Sequence, residues 1–366
     1  MWRTNLKIII SGGGTGGHIF PAIAIAKALM KRVGSAEILF VGAKGRMEME
    51  RVPLAGFQIE GLWISGFQRR ITIKNLLFPI KLLLSLFKAK QIIMRFKPNI
   101  VIGVGGYASG PTLRMAIRQK IPTLIQEQNS YPGITNRILA KKVNSICVAY
   151  DHMDHFFPKE KIVKTGNPVR EELVDVSGKR EEAREFFKLD SRQVVFVVGG
   201  SQGAIAINKS IENLLPEIIN NELQLIWQTG TTFYNQAAQN ATDRIKIFKF
   251  IDRMDLAYAV ADIVISRAGA IAISELCLVS KPVIFIPLPS AAEDHQTKNA
   301  MALVELEAAL MIKESNIREE LGQMLKDLAS NKALQLKLKT NIGKLAIPNA
   351  SEIIVDEIMK LLVDKN

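Results

Sequence analysis

The segment IIISGGGTGGHIFPAIAIAKAL, residues 8–29, runs from an apolar stretch through five glycines into an amphipathic one. An uninterrupted β-branched run followed by side-chain-free residues and a helical period reads as a buried strand, a tight loop and a helix. A loop of this kind lets an anionic group approach the helix N-terminus, where unpaired N–H groups and the dipole favour negative charge. The spacing Gly12-x-Gly14-x-x-Gly17 also fits a dinucleotide fingerprint. That fingerprint expects an acid at the tip of the second strand to hold a ribose. The second strand, EILFVGAKGR, ends instead in Val41, Gly42, Ala43 and Lys44, so the NAD reading loses its support.

Outward from this segment, apolar runs alternate with helical patterns along the whole chain. Strands are expected at residues 6–11, 37–41, 100–104, 122–125, 145–149, 194–198, 224–228, 245–250, 263–266 and 282–287. Their lack of polar interruptions indicates parallel sheets covered by helices on both faces, an α/β fold. Further glycine-rich loops follow strands at GVGGYASGP (residues 103–111) and VGGSQGA (residues 198–204). Ligands of such sheets bind beyond the carboxyl ends of the strands. The expectation is therefore two facing doubly wound, Rossmann-like domains with a deep cleft between them. The break at VKTGNPVREE and a second at AIPNASEII give residues 1–167 as one domain and 168–349 as another, followed by a short terminal helix, residues 351–363.

The length of 366 residues suits two domains. Hydrophobic residues make up 48% and charged residues 23%, within the range of ordinary globular proteins. Cys147 and Cys277 sit in apolar contexts without metal spacing and read as buried thiols. No signal-peptide pattern precedes the first strand and no apolar run reaches 18 residues, so a cytoplasmic chain without a membrane span is expected. The net charge of +13 is unevenly placed: residues 1–167 carry +17, residues 168–349 carry −2 and the last 17 residues carry −2. The first half is thus expected to meet an anionic surface or ligand. Residues 69–98, RRITIKNLLFPIKLLLSLFKAKQIIMRFKP, combine a broad apolar arc with basic flanks. They suit a crossover helix and also an interfacial membrane element. On a helix beginning at Pro79, Lys81, Ser85, Lys88 and Arg95 would share a polar stripe opposite Leu82, Leu83, Leu86, Phe87, Ile93 and Phe96. Few aromatics and no recognised motif argue against nucleic acid.

His18, at the entry of the first helix, either caps it or, with an ordinary pKa near neutrality, takes a proton from a substrate hydroxyl; the second reading is preferred. In SRAGAIAISEL, Glu275 is either a surface carboxylate or an acid beside a phosphate-binding helix, suited to ribose hydroxyls. His152, Asp154 and His155 are too few for a tetrahedral metal site, and no metal is expected.

GGGTGGHIFPA, GVGGYASGP, QEQN, TGNPVR, VGGSQGA, FIDRM, SRAGAIAISEL and EDHQTKNA occur in an order and spacing that resembles the MurG family, the peptidoglycan UDP-N-acetylglucosamine:lipid-linked N-acetylmuramoyl-pentapeptide transferases. The resemblance covers residue 6 to the C-terminus. It implies a GT-B type glycosyltransferase at the cytoplasmic face of the plasma membrane. Its first domain, residues 1–167 plus 350–366, would receive the undecaprenyl-pyrophosphoryl acceptor, and residues 168–349 would hold UDP-N-acetylglucosamine. The terminal helix would return to the first domain.

By the same resemblance, Thr15, Gly16 and Gly17 close on the donor, and Asn129 and Arg170 contact it near the hinge. Ser201 and Gln202 meet the diphosphate, Ile251 the uracil, and Ala270, Ile271, Ala272, Ile273, Ser274 and Glu275 the nucleoside, with Glu275 on the ribose. Gln296, or its neighbour His295, would hold the sugar hydroxyls. Gly14, Gly105, Gly106, Tyr107 and Glu127 match the acceptor side. The reaction implied is an inverting transfer of N-acetylglucosamine to the 4-hydroxyl of N-acetylmuramate. His18 would be the base, the amides of residues 201–203 and Arg170 would meet the charge on UDP, and neither metal nor cofactor would be required. A UDP-N-acetylglucosamine 2-epimerase, which could use the same two domains and donor, is the rival enzyme.

Overall fold

The structure, a computed structural model, describes residues 6–65, 77–200, 203–291 and 294–363. The chain divides into two compact units, residues 1–169 with 349–366, and residues 170–348. In the first unit the elements run β1 (Lys7–Ser11), α1 (Gly16–Val33), β2 (Glu37–Ala43), α2 (Glu48–Leu54), β3 (Gln58–Leu62), α3 (Phe78–Phe96), β4 (Ile100–Gly103), α4 (Ser109–Arg118), β5 (Thr123–Glu127), α5 (Ile134–Leu139), β6 (Ser145–Val148) and β7 (Ile162–Lys164). All pairings are parallel, and the seven strands lie in the order 3-2-1-4-5-6-7.

The second unit repeats this plan. Its elements include α6 (Arg180–Phe187), β8 (Gln193–Val198), α7 (Ile205–Asn220), β9 (Leu223–Gln228), β10 (Ile245–Phe248), α8 (Met254–Val260), β11 (Ile263–Ser266), α9 (Ala270–Val279), β12 (Val283–Phe285), α10 (His295–Val304), β13 (Leu310–Met311), α11 (Ile317–Ser330) and α12 (Lys332–Gly343). The six strands follow the order 10-9-8-11-12-13, again wholly parallel. Both units are therefore doubly wound α/β domains, each with a switch point beside its first strand.

Two-sided burial explains the unbroken apolar runs. In β1, Ile9 packs into one core while Ile8 and Ile10 face the other. In β8, Val195 and Val197 face one side and Val194, Phe196 and Val198 the other. The last helix, α13 (Ala350–Val363), belongs to the first unit, where Ile354, Val355, Ile358 and Leu362 join the core formed with α1. Cys147 and Cys277 are buried free thiols. Burial pushes the Cys277 thiol up to about 12, which leaves it unreactive at neutral pH.

The polar stripe expected on α3 requires correction. Ser85 is fully buried and donates to the Trp63 carbonyl at 3.1 Å, and with Ala89 it forms a small-residue face that lets the helix approach the sheet. Leu83 and Phe87, expected on the packed side, stand outward with 67% and 61% exposure. Residues 69–76 of that segment lie outside the described residues.

In the second unit, the buried Asp255 on α8 accepts hydrogen bonds from Arg253 Nε and Nη2, both at 2.9 Å, and from Lys179 Nζ at 3.1 Å. The Arg253 bonds lead the effects that hold its carboxyl down to about 2. A depressed carboxylate stabilises the fold above its ordinary pKa and loses that contribution as pH falls through the folded value. Asp255→Asn should cost about 1.5–3 kcal/mol near neutral pH, the usual range for hydrogen bonds to a charged group. Urea unfolding as a function of pH should show this deficit shrinking as pH falls from about 4 toward 2.

Candidate functional site

At the switch point of the first sheet, the loops after β1 and β4 lie side by side. Gly12 N–H donates to the Val41 carbonyl at 3.2 Å and Val104 N–H to the Ser11 carbonyl at 2.9 Å. Beyond these anchors the two backbones touch. A Cβ on Gly106, whose φ is +82°, would stand 2.3 Å from the Gly13 carbonyl oxygen. Only glycine meets both demands there.

Thr15 is the extended residue before α1, and its carbonyl accepts from the His18 and Ile19 amides at 3.1 and 3.2 Å. His18 is half-buried, with Nδ1 3.3 Å from Thr15 Oγ1. Its ring lies against Gly105, where a Cβ would approach His18 Cδ2 to 2.7 Å and Nε2 to 2.8 Å. The structure thus brings Thr15, His18, Gly105 and Gly106 together. Gly14 is used differently from the expectation, because its amide donates at 2.8 Å to Glu48 Oε2 and is committed within the protein. Tyr107 is exposed beside this loop pair.

Glu127 does not face outward. It is 2% exposed, at the end of β5. Its carboxylate accepts from the Asn129 amide at 3.0 Å, Asn129 Nδ2 at 3.1 Å, the Gly133 amide at 3.1 Å and Asn136 Nδ2 at 2.8 Å. Burial raises its pKa, and these bonds oppose the rise. The acid in QEQN therefore organises the loop leading to α5, and the side chain of Asn129 is one of its donors. Next to it, Gln126 Nε2 donates to Asn167 Oδ1 and Asn167 Nδ2 to the Gln128 carbonyl, both at 3.0 Å, which ties QEQN to TGNP. Gln128 Nε2 also donates to the Val104 carbonyl at 2.9 Å, bracing the second glycine loop.

The second unit gathers another group. Glu275, buried on α9, accepts from Arg170 Nη2 at 2.8 Å and Nε at 3.0 Å on one oxygen, and from Tyr258 OH at 3.3 Å on the other. Burial leads the effects on Glu275 and raises its pKa, while Arg170 acts against the rise. Ala270 and Ile273 of the same helix are buried, and Ile271, Ala272 and Ser274 are half-buried. Ile251 buries its side chain in the core and donates its amide to Gln228 Oε1 at 2.9 Å. Gln296 Oε1 accepts from the Leu288 amide at 3.0 Å. Ser201 and Gln202 lie outside the described residues; after them, a Cβ on Gly203 would reach within 2.1 Å of the Thr229 carbonyl oxygen. Among the described residues, no group of three His, Cys, Asp or Glu side chains converges to hold a metal ion.

Two buried groups escaped the sequence reading, Glu48 and Tyr258. Neither lies in a glycine-rich motif, and each acquires its role only from a residue distant in the chain.

Residues 8–148 match the N-terminal domain of glycosyltransferase family 28, and residues 194–353 match its C-terminal domain. The chain belongs to glycosyltransferase family 28. Its relatives in the family include a UDP-N-acetylglucosamine–N-acetylmuramyl-(pentapeptide) pyrophosphoryl-undecaprenol N-acetylglucosamine transferase from Flavobacterium psychrophilum, 53% identical over 97% of this chain and 98% of that protein. The crystal structure of MurG from Acinetobacter baumannii superposes with a TM-score of 0.77 at 30% identity, covering 97% of this chain and 99% of that one. The two parallel-sheet α/β domains are therefore those of a GT-B type family 28 enzyme. A UDP-GlcNAc 2-epimerase from Neisseria meningitidis shares the fold alone, with a TM-score of 0.65 at 16% identity over 97% of this chain and 100% of that one.

Removing Arg170 would leave the Glu275 carboxylate buried without its cation. Arg170→Ala should therefore destabilise the protein by about 3 kcal/mol at pH 8. A carboxyl with a raised folded pKa stabilises when protonated and loses that contribution as pH rises, so the deficit should shrink toward pH 5. Parallel urea titrations at the two pH values measure it.

Proposed function

We propose that this chain is an inverting glycosyltransferase that moves N-acetylglucosamine from UDP-N-acetylglucosamine to the 4-hydroxyl of undecaprenyl-pyrophosphoryl-N-acetylmuramoyl-pentapeptide, forming the disaccharide lipid of peptidoglycan synthesis. The observation that carries this reading is the full-length relationship to a transferase named for that reaction, in both family domains.

The residues divide the chemistry. His18 takes the proton of the acceptor hydroxyl through Nε2, while its Nδ1 lies 3.3 Å from Thr15 Oγ1. A base in this position contributes about 10²–10⁴-fold. The acceptor pyrophosphate lies along the loop of Gly105, Gly106 and Tyr107 and meets the N-terminal end of α1 at Thr15, Gly16 and Gly17, which follow the committed Gly14 amide. In the second unit, the donor diphosphate meets Ser201, Gln202 and the N-terminus of α7, and the developing charge on UDP is stabilised there and by Arg170. Ile251 and residues 270–275 receive the nucleoside, with Glu275 sharing its oxygens between Arg170, Tyr258 and a ribose hydroxyl. Gln296 holds the sugar hydroxyls. The displacement is a single step, so the anomeric centre inverts, and these groups do the work without a metal.

The protein is read as peripheral to the cytoplasmic face of the plasma membrane. Among the described residues no helix is long and apolar enough to cross a membrane. Outward-facing Ile80, Leu83, Leu84, Phe87 and Met94 on α3 lie on one helix with Lys81 and Lys90, while its Lys88 and Arg95 pair with Glu60. That combination suits insertion at an anionic lipid surface, at about 1 kcal/mol for each basic residue near it.

UDP release from UDP-N-acetylglucosamine, with EDTA present throughout, should depend on added lipid-linked muramoyl-pentapeptide. His18→Ala should lower kcat about 100-fold or more while leaving the donor KM nearly unchanged. Conversion of the donor to its C2 epimer without acceptor would reject the transferase reading. The membrane reading is checked separately by sedimentation with phosphatidylglycerol vesicles, from which the Leu83→Glu/Phe87→Glu protein should be lost. Equal sedimentation of both proteins would reject a role for α3.

A further inference from the structure

Glu48 is a carboxylate 1% exposed, the first residue of α2, with no basic side chain paired to it among the described residues. Its two oxygens are divided between two backbone segments. Oε1 accepts from the Ala43 amide at the end of β2 at 2.9 Å, and Oε2 accepts from the Gly14 amide at the tip of the first glycine loop at 2.8 Å. Room for it is made by glycine on both sides. A Cβ on Gly13 would stand 2.2 Å from Glu48 Oε1, and one on Gly42 would stand 2.5 Å from Glu48 Cγ. Gly42 has no positive φ, so its backbone does not call for glycine; the Glu48 side chain lying over it does, with the tip of Ile59, 3.1 Å from the same Cβ position, as a looser second neighbour.

The geometry points to Glu48 as a positioning residue for the transfer reaction, a clamp that fixes the glycine loop, and through it Thr15 and His18, to the end of β2. The inference rests on the proposed role of His18. The clamp lies one residue before the extended Thr15 that begins α1, and the His18 ring in turn hangs from Thr15 Oγ1 and rests on Gly105. A loop of five glycines has little stiffness of its own, so a charged acceptor on the Gly14 amide supplies the constraint that glycine lacks. The same bond removes Gly14 N–H from the ligand's donors and directs an incoming anion to the amides that follow.

The test uses Glu48→Gln, Glu48→Ala, Gly42→Ala and the Gly42→Ala/Glu48→Ala double variant. In Glu48→Gln, an NH2 replaces one accepting oxygen and opposes a backbone N–H. Thermal unfolding should move by only a few degrees, while amide exchange of a peptide spanning residues 12–18 should quicken tenfold or more and that of residues 194–198 stay unchanged. In acceptor-dependent UDP release, kcat should fall about 100-fold, the scale of an ångström's misplacement of a catalytic group, with the donor KM within threefold of the parent. Gly42→Ala should cause a similar loss in the parent and little further loss beside Glu48→Ala. Unchanged exchange and kcat within twofold in Glu48→Gln, or a Gly42→Ala effect equal in both backgrounds, would overturn the assignment. Failure of every Glu48 variant to fold would replace it with a purely structural role. If the parent itself shows no acceptor-dependent release, the transferase reading fails, while exchange and the coupling of Gly42 to Glu48 in unfolding still decide whether the clamp exists.

Discussion

The first unit depends on one close contact, the backbone of residue 106 against the backbone of residue 13. Parallel pairing of β1 with β4 brings the two loops to the same edge of the sheet, and the absence of side chains lets them touch. Everything placed there follows from that approach: the start of α1, the seat of His18 on Gly105, and the need for Glu48 and Gln128 to brace the loops from either side. Glycine gives close access to an anion at an entropic cost, and the buried polar groups around it offset the lost rigidity.

The second unit reaches a comparable end by charge. Arg170 and Glu275 come from the beginning of that unit and from its fourth strand–helix connection, and they meet with Tyr258 around one buried carboxylate. Burial disfavours the charged acid and the guanidinium compensates, so the group's stability is tied to a residue that also serves the proposed donor chemistry. A ligand that engages either side chain must preserve that compensation.

The inner strands were legible because both sheets are buried on two faces, and that burial leaves continuous apolar runs in the sequence; their order in each sheet came only from the structure. The strands that were not expected, β3, β7 and β13, lie at sheet edges, where half-exposed residues dilute the signal. The outward turn of Leu83 and Phe87 on α3 was missed for a related reason. A helical wheel records polarity, whereas packing against a sheet also selects for small size, and Ser85 with Ala89 supplied it.

By itself the sequence determined the class of fold, the positions of the glycine loops and the membership of His18 and Glu275 in strand-end motifs, because these depend on local period, turn chemistry and spacing. Which acids are spent on partners inside the protein was decided only by the tertiary structure. Glu127 has the look of a site residue and turns inward onto Asn129, Gly133 and Asn136, whereas Glu48 belongs to no motif and holds the tip of the glycine loop. A carboxylate's role is set by the donors that surround it, and these donors come from segments that only the fold brings together.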